Sequence, residues 1–277
     1  MATLNTAQLL RIERDYGSVT AGRFADIVIL DDLEKVHVDK TLIHGEVISD
    51  SGKMTVDLLP YQYPEWAKRT IHVPSSLRPE DLQIKVDDSC HEINVRTIVN
   101  SWPKEVIINT LAVEHGKIQP DVEKDLLSIA IVERHKNTGN IGKGFVTGFR
   151  IKEGAVASSI QHNSHNIVVI GTNYEDMAIA VNSIIQMGGG YSAVKNGKVV
   201  GQVELPIAGL LSEEDYRVVS KKLVAFEQVV MEDLKCGIER PLYTLVFFCA
   251  PGVPHAGLTD KGLINVDTMD FMDAVVQ

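Results

Sequence analysis

The stretch 191–205, Y-S-A-V-K-N-G-K-V-V-G-Q-V-E-L, constrains this chain more than any other part of it. Asn196-Gly197 is the pair preferred in a two-residue β-turn, because both central positions need positive φ, so the flanking runs form an antiparallel hairpin. The helix before it, 174–187, carries Met177, Ala180, Val181, Ile184 and Ile185 on one stripe, and Gly188-Gly189-Gly190 ends it. A capping turn explains those three glycines without any function. A second long helix runs from Glu213 to about Leu234. Strands and helices do not alternate strictly, which predicts an α+β fold, mostly antiparallel, with two long helices.

The remaining elements follow from apolar runs and breakers. Residues 5–13 read as a short helix with Thr6 as its cap, 25–30 as a strand, and 38–50 as a hairpin turning at His44-Gly45. This opening β unit is too short to bury its own faces. Pro60, Pro64 and Pro74 mark an irregular stretch, and a boundary is placed there, giving units 1–60 and 61–277. Beyond it, P-E-D-L at 79–82 begins a turn or short helix. Strands are expected near 83–87, 92–99, 104–115, 125–135, 155–160, 167–171 and 242–249. The stretch 136–148 carries four glycines and reads as a loop. L-P-I-A-G-L-L at 205–211 reads as a kinked apolar crossing, and the tail as turns and short extended pieces.

Hydrophobic residues make up 44% of the 277 residues but aromatics only 6%, so Val, Ile, Leu and Ala must fill the core. The net charge of −10 argues against nucleic acid as a partner, since phosphate binding needs a basic face. Cys90, Cys236 and Cys249 are few and unpaired in spacing, which suits a reducing compartment. No apolar run reaches 18 residues and no charged leader precedes a long apolar stretch. A cytoplasmic protein that neither spans nor binds a membrane is therefore expected.

The densest polar stretch is Q-H-N-S-H-N at 161–166, directly before the apolar run I-V-V-I-G. His162 and His165 are spaced as a metal pair would be on a helix, and a third ligand would come from Glu133, His135 or His255. A second reading is a structural loop whose Asn, Ser and His side chains satisfy the backbone around a buried strand. A third is a ligand-reading loop, in which an imidazole donates or accepts and an Asn amide reads a heterocycle edge. Ser164 with a histidine base lacks the G-x-S-x-G context of a nucleophile elbow. G-N-I-G-K-G at 139–144 offers glycines and Lys143 but not phosphate-loop spacing, and a connecting loop is the better reading. Glu133-Arg134-His135 closes a strand, as an exposed end or as the rim of a pocket.

An ordered series of stretches resembles the bacterial adenine deaminases of the amidohydrolase superfamily. They are M-A-T-L-N at the start, G-R-F-A-D-I-V-I-L-D-D-L at 22–33, I-V-E-R-H at 131–135, G-F-V-T-G-F at 144–149 and S-H-N-I-V-V-I-G-T-N at 164–173. E-D-M-A-I-A-V-N at 175–182, G-G-G at 188–190 and L-P-I-A-G-L at 205–210 complete the set. The resemblance runs over nearly the whole chain but covers only the later half of such an enzyme. It implies that residues 1–60 are the helix after the last strand of a metal-binding (β/α)₈ barrel plus part of the small β domain beside it. It implies that 61–277 is the family's C-terminal domain.

The family reaction so implied is hydrolysis of adenine to hypoxanthine and ammonia by water activated on a divalent centre, manganese or iron. The barrel's H-x-H pair is absent from this sequence. The resemblance therefore implies no metal bound by this chain alone, no catalysis by it alone, and a barrel-carrying partner chain or segment. The pocket candidates toward adenine or a related purine are His162, Asn163, Ser164, His165, Asn166, Glu133 and His135. The family pattern H-D-S-H has Asp where this chain has Asn163, and Asn cannot act as a general base. A non-catalytic binding or scaffold module is the alternative. Open strand edges in residues 1–60 lead to an expectation of self-association or of disorder in that unit.

Overall fold

The computed structural model describes residues 2–59, 61–248 and 250–276. The chain divides into two compact units, 1–62 and 63–277.

The first unit has one short helix, α1 (Leu4–Leu10), and four strands, β1 (Ile27–Asp32), β2 (His37–Ile43), β3 (Glu46–Asp50) and β4 (Lys53–Met54). The strands form one antiparallel sheet in chain order. His44 and Gly45 turn the β2–β3 hairpin with φ of 51° and 84°, the pairing a two-residue loop requires. Thr3, not Thr6, occupies the N-cap of α1, because the helix starts one turn earlier than its apolar residues suggest. Every residue of the four strands is half-buried or exposed, so a sheet this small has no deep core of its own.

The second unit opens with a 3-10 turn (Glu65–Lys68) and α2 (Pro79–Leu82). There follow β5 (Glu92–Val99), β6 (Val106–Glu114), β7 (Lys117–Ile118), β8 (Leu127–Val132), β9 (Ile141–Thr147), β10 (Ala155–Ser158) and β11 (Ile167–Gly171). Helix α3 (Tyr174–Met187) leads to β12 (Gly190–Lys195), β13 (Lys198–Glu204), α4 (Tyr216–Glu232) and α5 (Pro241–Phe247). The chain closes with β14 (Ala256–Thr259), β15 (Gly262–Asn265), β16 (Asp270–Met272) and β17 (Val275–Val276).

One large sheet runs in the order β13-β12-β10-β11-β8-β9-β5-β6-β7, with β17 added on β5. Its pairings are antiparallel except for β5 with β9. Strands β14–β16 form a separate three-stranded sheet. The fold is α+β with open, mostly antiparallel sheets.

Both faces of the middle of the large sheet are covered. Ala130, Val132, Ile167 and Val169 pack under α3 with Met177, Val181 and Ile184. The alternate residues Ile129, Ile131, Val168 and Ile170 pack with Phe226 and Val230 of α4, Leu245 of α5, and Leu258 and Leu263 of the small sheet. This is why β8 and β11 read as unbroken apolar runs rather than alternating ones: every residue of each is buried.

Three further expectations fail. Residues 241–247 form α5, a helix rather than a strand; Pro241 stands at its first position, where a missing N–H is harmless. Cys249, which ended that expected strand, and Pro60 lie outside the described residues. The stretch expected as a loop, 136–148, contains β9. Its glycines reflect packing, since a Cβ on Gly142 would lie 1.7 Å from the Thr259 carbonyl oxygen. Residues 83–87 form no strand, only an isolated bridge from Lys85 to Lys117.

Candidate functional site

The two candidate clusters meet because β8 and β11 are antiparallel neighbours. Val132 at the end of β8 is paired with Ile167 at the start of β11. Residues 133–135 therefore leave the sheet at the point where 161–166 enters it.

The side chains beneath this meeting point are committed to holding the backbone. One Glu133 carboxylate oxygen accepts from the backbone N–H groups of His135 and Lys136 at 2.5 and 2.8 Å. The other accepts from the N–H and hydroxyl of Thr138, both at 3.0 Å. Burial pushes this carboxyl up, but the N–H groups of Thr138, Lys136 and His135 outweigh it and bring the pKa down to about 2. Glu133 is thus an anion that organises the 135–138 turn, with no capacity to shuttle protons near neutrality.

Arg134 is 1% exposed. Its Nε donates to the His165 carbonyl, Nη2 to the Ala208 carbonyl at 3.0 Å, and Nη1 to the carbonyl and hydroxyl of Thr70, each at 3.4 Å. All these partners are neutral oxygens, and burial lowers the guanidinium pKa to about 10. One planar fork therefore ties together 161–166, the 205–211 crossing and the segment near Thr70. The crossing is built to receive it. Ala208 and Gly209 have φ of 56° and 71°, and a Cβ on Gly209 would lie 2.7 Å from Nη1.

The loop is also ordered internally. His165 N–H donates to the Gln161 carbonyl at 2.9 Å, and the Ser164 hydroxyl donates to Gln161 Oε1 at 2.5 Å. The Ser164 carbonyl accepts from His135 Nε2 at 2.7 Å, so that nitrogen carries the proton. Ser164 has no imidazole base and is not a nucleophile. Asn166 is buried; its amide donates to Asp260 Oδ1 at 3.2 Å, while Asn140 donates to Oδ2 at 3.2 Å. His162 and Asn163 are exposed. The His162 ring lies 4.1 Å, centroid to centroid, from Phe247 of α5.

Asn163 has φ of 82°, a left-handed position that Asn and Asp both tolerate. His165, at φ of 50°, is half-buried, and its Nδ1 is buried with no hydrogen-bond partner among the described residues. Its pKa is lowered first by burial and then by the charge of Arg134, with smaller contributions from His162 and His135. The loop thus carries an imidazole biased toward its neutral form, with Nδ1 turned into the protein, beside an exposed imidazole and an exposed amide.

The candidate metal ligands do not assemble into a metal site. Both Glu133 oxygens and His135 Nε2 are already engaged, and His255 is paired instead with Asp267 at 2.5 Å by the small sheet. Among the described residues no group of three His, Cys, Asp or Glu side chains is placed to hold a metal ion. The donor set therefore does not fit the divalent centre that the resemblance implies.

Of the predicted pocket residues, His162, Asn163, His165 and His135 surround the loop surface, Ser164 is half-buried in its turn, and Asn166 and Glu133 lie beneath it. Gln161, Asp260 and the Ala208-Gly209 kink were not predicted as site residues, and Arg134 was predicted only as part of a strand end or pocket rim. The available signals were an arginine closing an otherwise apolar strand and an Ala-Gly pair inside the apolar crossing.

Residues 103–270 match the family described as adenine deaminase C-terminal domain, and residues 1–48 match the amidohydrolase family. An adenine deaminase of Clostridium botulinum (strain ATCC 19397 / Type A) is 36% identical over 283 residues, covering 100% of this chain and 46% of the relative. An adenine deaminase of Desulforamulus reducens is 37% identical, over 100% of this chain and 47% of the relative. One from Moorella thermoacetica is 37% identical, over 97% and 45%. The chain spans about half the length of the curated relatives it matches. No helix among the described residues is long and apolar enough to cross a membrane. The chain belongs to the adenine deaminase C-terminal domain family.

Proposed function

We propose that this chain is the C-terminal portion of an adenine deaminase, and that the 161–166 loop is its contribution to enclosing the purine. The reaction is hydrolysis of the C6–NH₂ bond of adenine, giving hypoxanthine and ammonia. The observation that carries the reading is the loop's construction. A buried guanidinium and a buried carboxylate hold its backbone from below, while the ring of half-buried His165 has no hydrogen-bond partner among the described residues. Such rigid placement is what binding a small planar substrate requires. The His165 imidazole would hydrogen-bond the purine through its other ring nitrogen, Nε2, and Asn163 would read an adjacent donor–acceptor edge.

A manganese or iron centre, if present, activates the attacking water. Its ligands belong to a barrel-bearing segment, in the same polypeptide or a partner chain, because the side chains described above do not fit it. By itself the 277-residue chain does not deaminate adenine. A cytoplasmic location fits the unpaired Cys90 and Cys236.

A second reading is a binding or scaffold module that kept the fold without the chemistry, and Asn163 in place of the family's Asp favours it. One experiment tests both. The chain replaces the matching part of the Clostridium botulinum relative, and hypoxanthine formation from adenine is followed with manganese or ferrous iron. The proposal expects turnover from the chimera and none from the chain alone. A folded but inactive chimera supports the scaffold reading, and turnover by the chain alone contradicts the assignment of the metal ligands.

A further inference from the structure

The β6 edge of the large sheet is open over most of its length. β7 covers only Val113 and Glu114, and Gln119 N–H donates to the Ala112 carbonyl. Among the described residues nothing pairs with the outer side of 105–111. The bonds from Val113 N–H to His91 and from Val99 N–H to Glu105 show that the odd-numbered residues of this stretch face β5. Val106, Ile108 and Thr110 therefore direct their N–H and C=O groups outward.

This edge lacks the usual protection. V-I-I-N-T-L-A at 106–112 contains no charge and no proline, and Ile107 and Ile108 are 41% and 60% exposed. Edge strands are normally blunted by charged residues, bulges or covering elements. The opposite edge shows these devices: β13 carries Lys198 and Glu204, has a register shift against β12, and packs against α4.

We propose that β6 pairs antiparallel with β6 of a second copy of this chain, about a two-fold axis at Ile108. The open window 105–111 is centred on that residue. The outward-facing residues map onto one another, Val106 opposite Thr110 and Ile108 opposite Ile108, as an isologous contact requires. This pairing completes about six main-chain hydrogen bonds. No charge lies within 106–110, so the strands approach without like-charge repulsion although each chain carries −10.

The test is the mass of the intact 277-residue chain in solution, by light scattering at micromolar concentration. Wild type is expected to be a dimer. Ile108→Lys is expected to weaken self-association at least about tenfold by placing like charges opposite each other, with an unchanged far-UV circular dichroism spectrum because the side chain is exposed in the single chain. Because residue 108 meets itself, mixing Ile108→Lys with Ile108→Glu is expected to restore a dimer. As an independent readout, Ile108→Cys is expected to form an interchain disulfide under mild oxidation, above the wild-type level. A monomeric wild type, a dimer that Ile108→Lys leaves intact, or a mixture that stays monomeric would each overturn the proposal. The last two results would point to another interface, or to a different segment on this edge.

Discussion

Arg134 Nη2 donates to the carbonyl oxygen of Ala208 at 3.0 Å, across a sequence separation of 74 residues. The same guanidinium holds the His165 carbonyl through Nε. The candidate loop and the 205–211 crossing are thus positioned by one side chain, and the first prediction concerns it. Arg134→Lys keeps a cation but cannot span three acceptor groups. It leaves buried carbonyls unpaired, at a cost of about 2–4 kcal/mol. Urea unfolding of the two proteins at neutral pH measures the difference.

The crossing makes its own prediction. At Gly209, with φ of 71°, a Cβ would lie 2.7 Å from Arg134 Nη1, whereas at Gly197, with φ of 75°, no atom lies within 4 Å. Both Gly→Ala substitutions carry the left-handed backbone penalty of about 1 kcal/mol. Only Gly209→Ala also displaces the guanidinium. It should therefore be the more destabilising of the two in thermal unfolding, and it alone should alter the environment of 161–166.

Glu133 sets an acid dependence. Its folded pKa, about 2, lies below the ordinary 4.5, so its stabilisation is complete above 4.5 and is lost as pH falls toward 2. Glu133→Gln should cost about 2 kcal/mol at neutral pH through the weakened N–H···O⁻ bonds. The gap from wild type should close between pH 4.5 and 2. Unfolding curves across that range check both the sign and the window.

His165 carries the opposite chemistry, a base whose charged form is disfavoured. Burial and Arg134 lower its pKa from the ordinary 6.5. Its neutral form contributes stability above pH 6.5 that is lost as pH falls through the folded value. In an NMR titration its ring resonances should still report the neutral form at pH 6.5. Arg134→Lys, by loosening the loop, should move the midpoint back toward 6.5.

Some of this architecture is legible in the sequence. Helix α3 begins and ends where expected because Asn173 accepts from the Asp176 N–H at 2.7 Å and Gly188 takes φ of 77°, both local signals. The Asn196-Gly197 turn is equally local, with φ of 51° and 75°. β9 was illegible because Gly142 answers a neighbour more than a hundred residues away, at Thr259. α5 was illegible because L-Y-T-L-V-F-F has strand-like composition, and its helical state follows from Pro241 and from packing through Leu245 and Phe248. At the candidate site the polar loop was visible as a cluster. The roles of Glu133 and Arg134 depend on the β8–β11 pairing, which no local pattern encodes.

The central claim is that the 161–166 loop helps to form the purine site, and the most direct measurement is kcat/KM for adenine in the active chimera carrying His165→Gln. A fall of about 100-fold or more is predicted, with unchanged thermal unfolding and with Asn163→Asp retaining activity. Unaltered kcat/KM in a folded His165→Gln chimera would contradict the account.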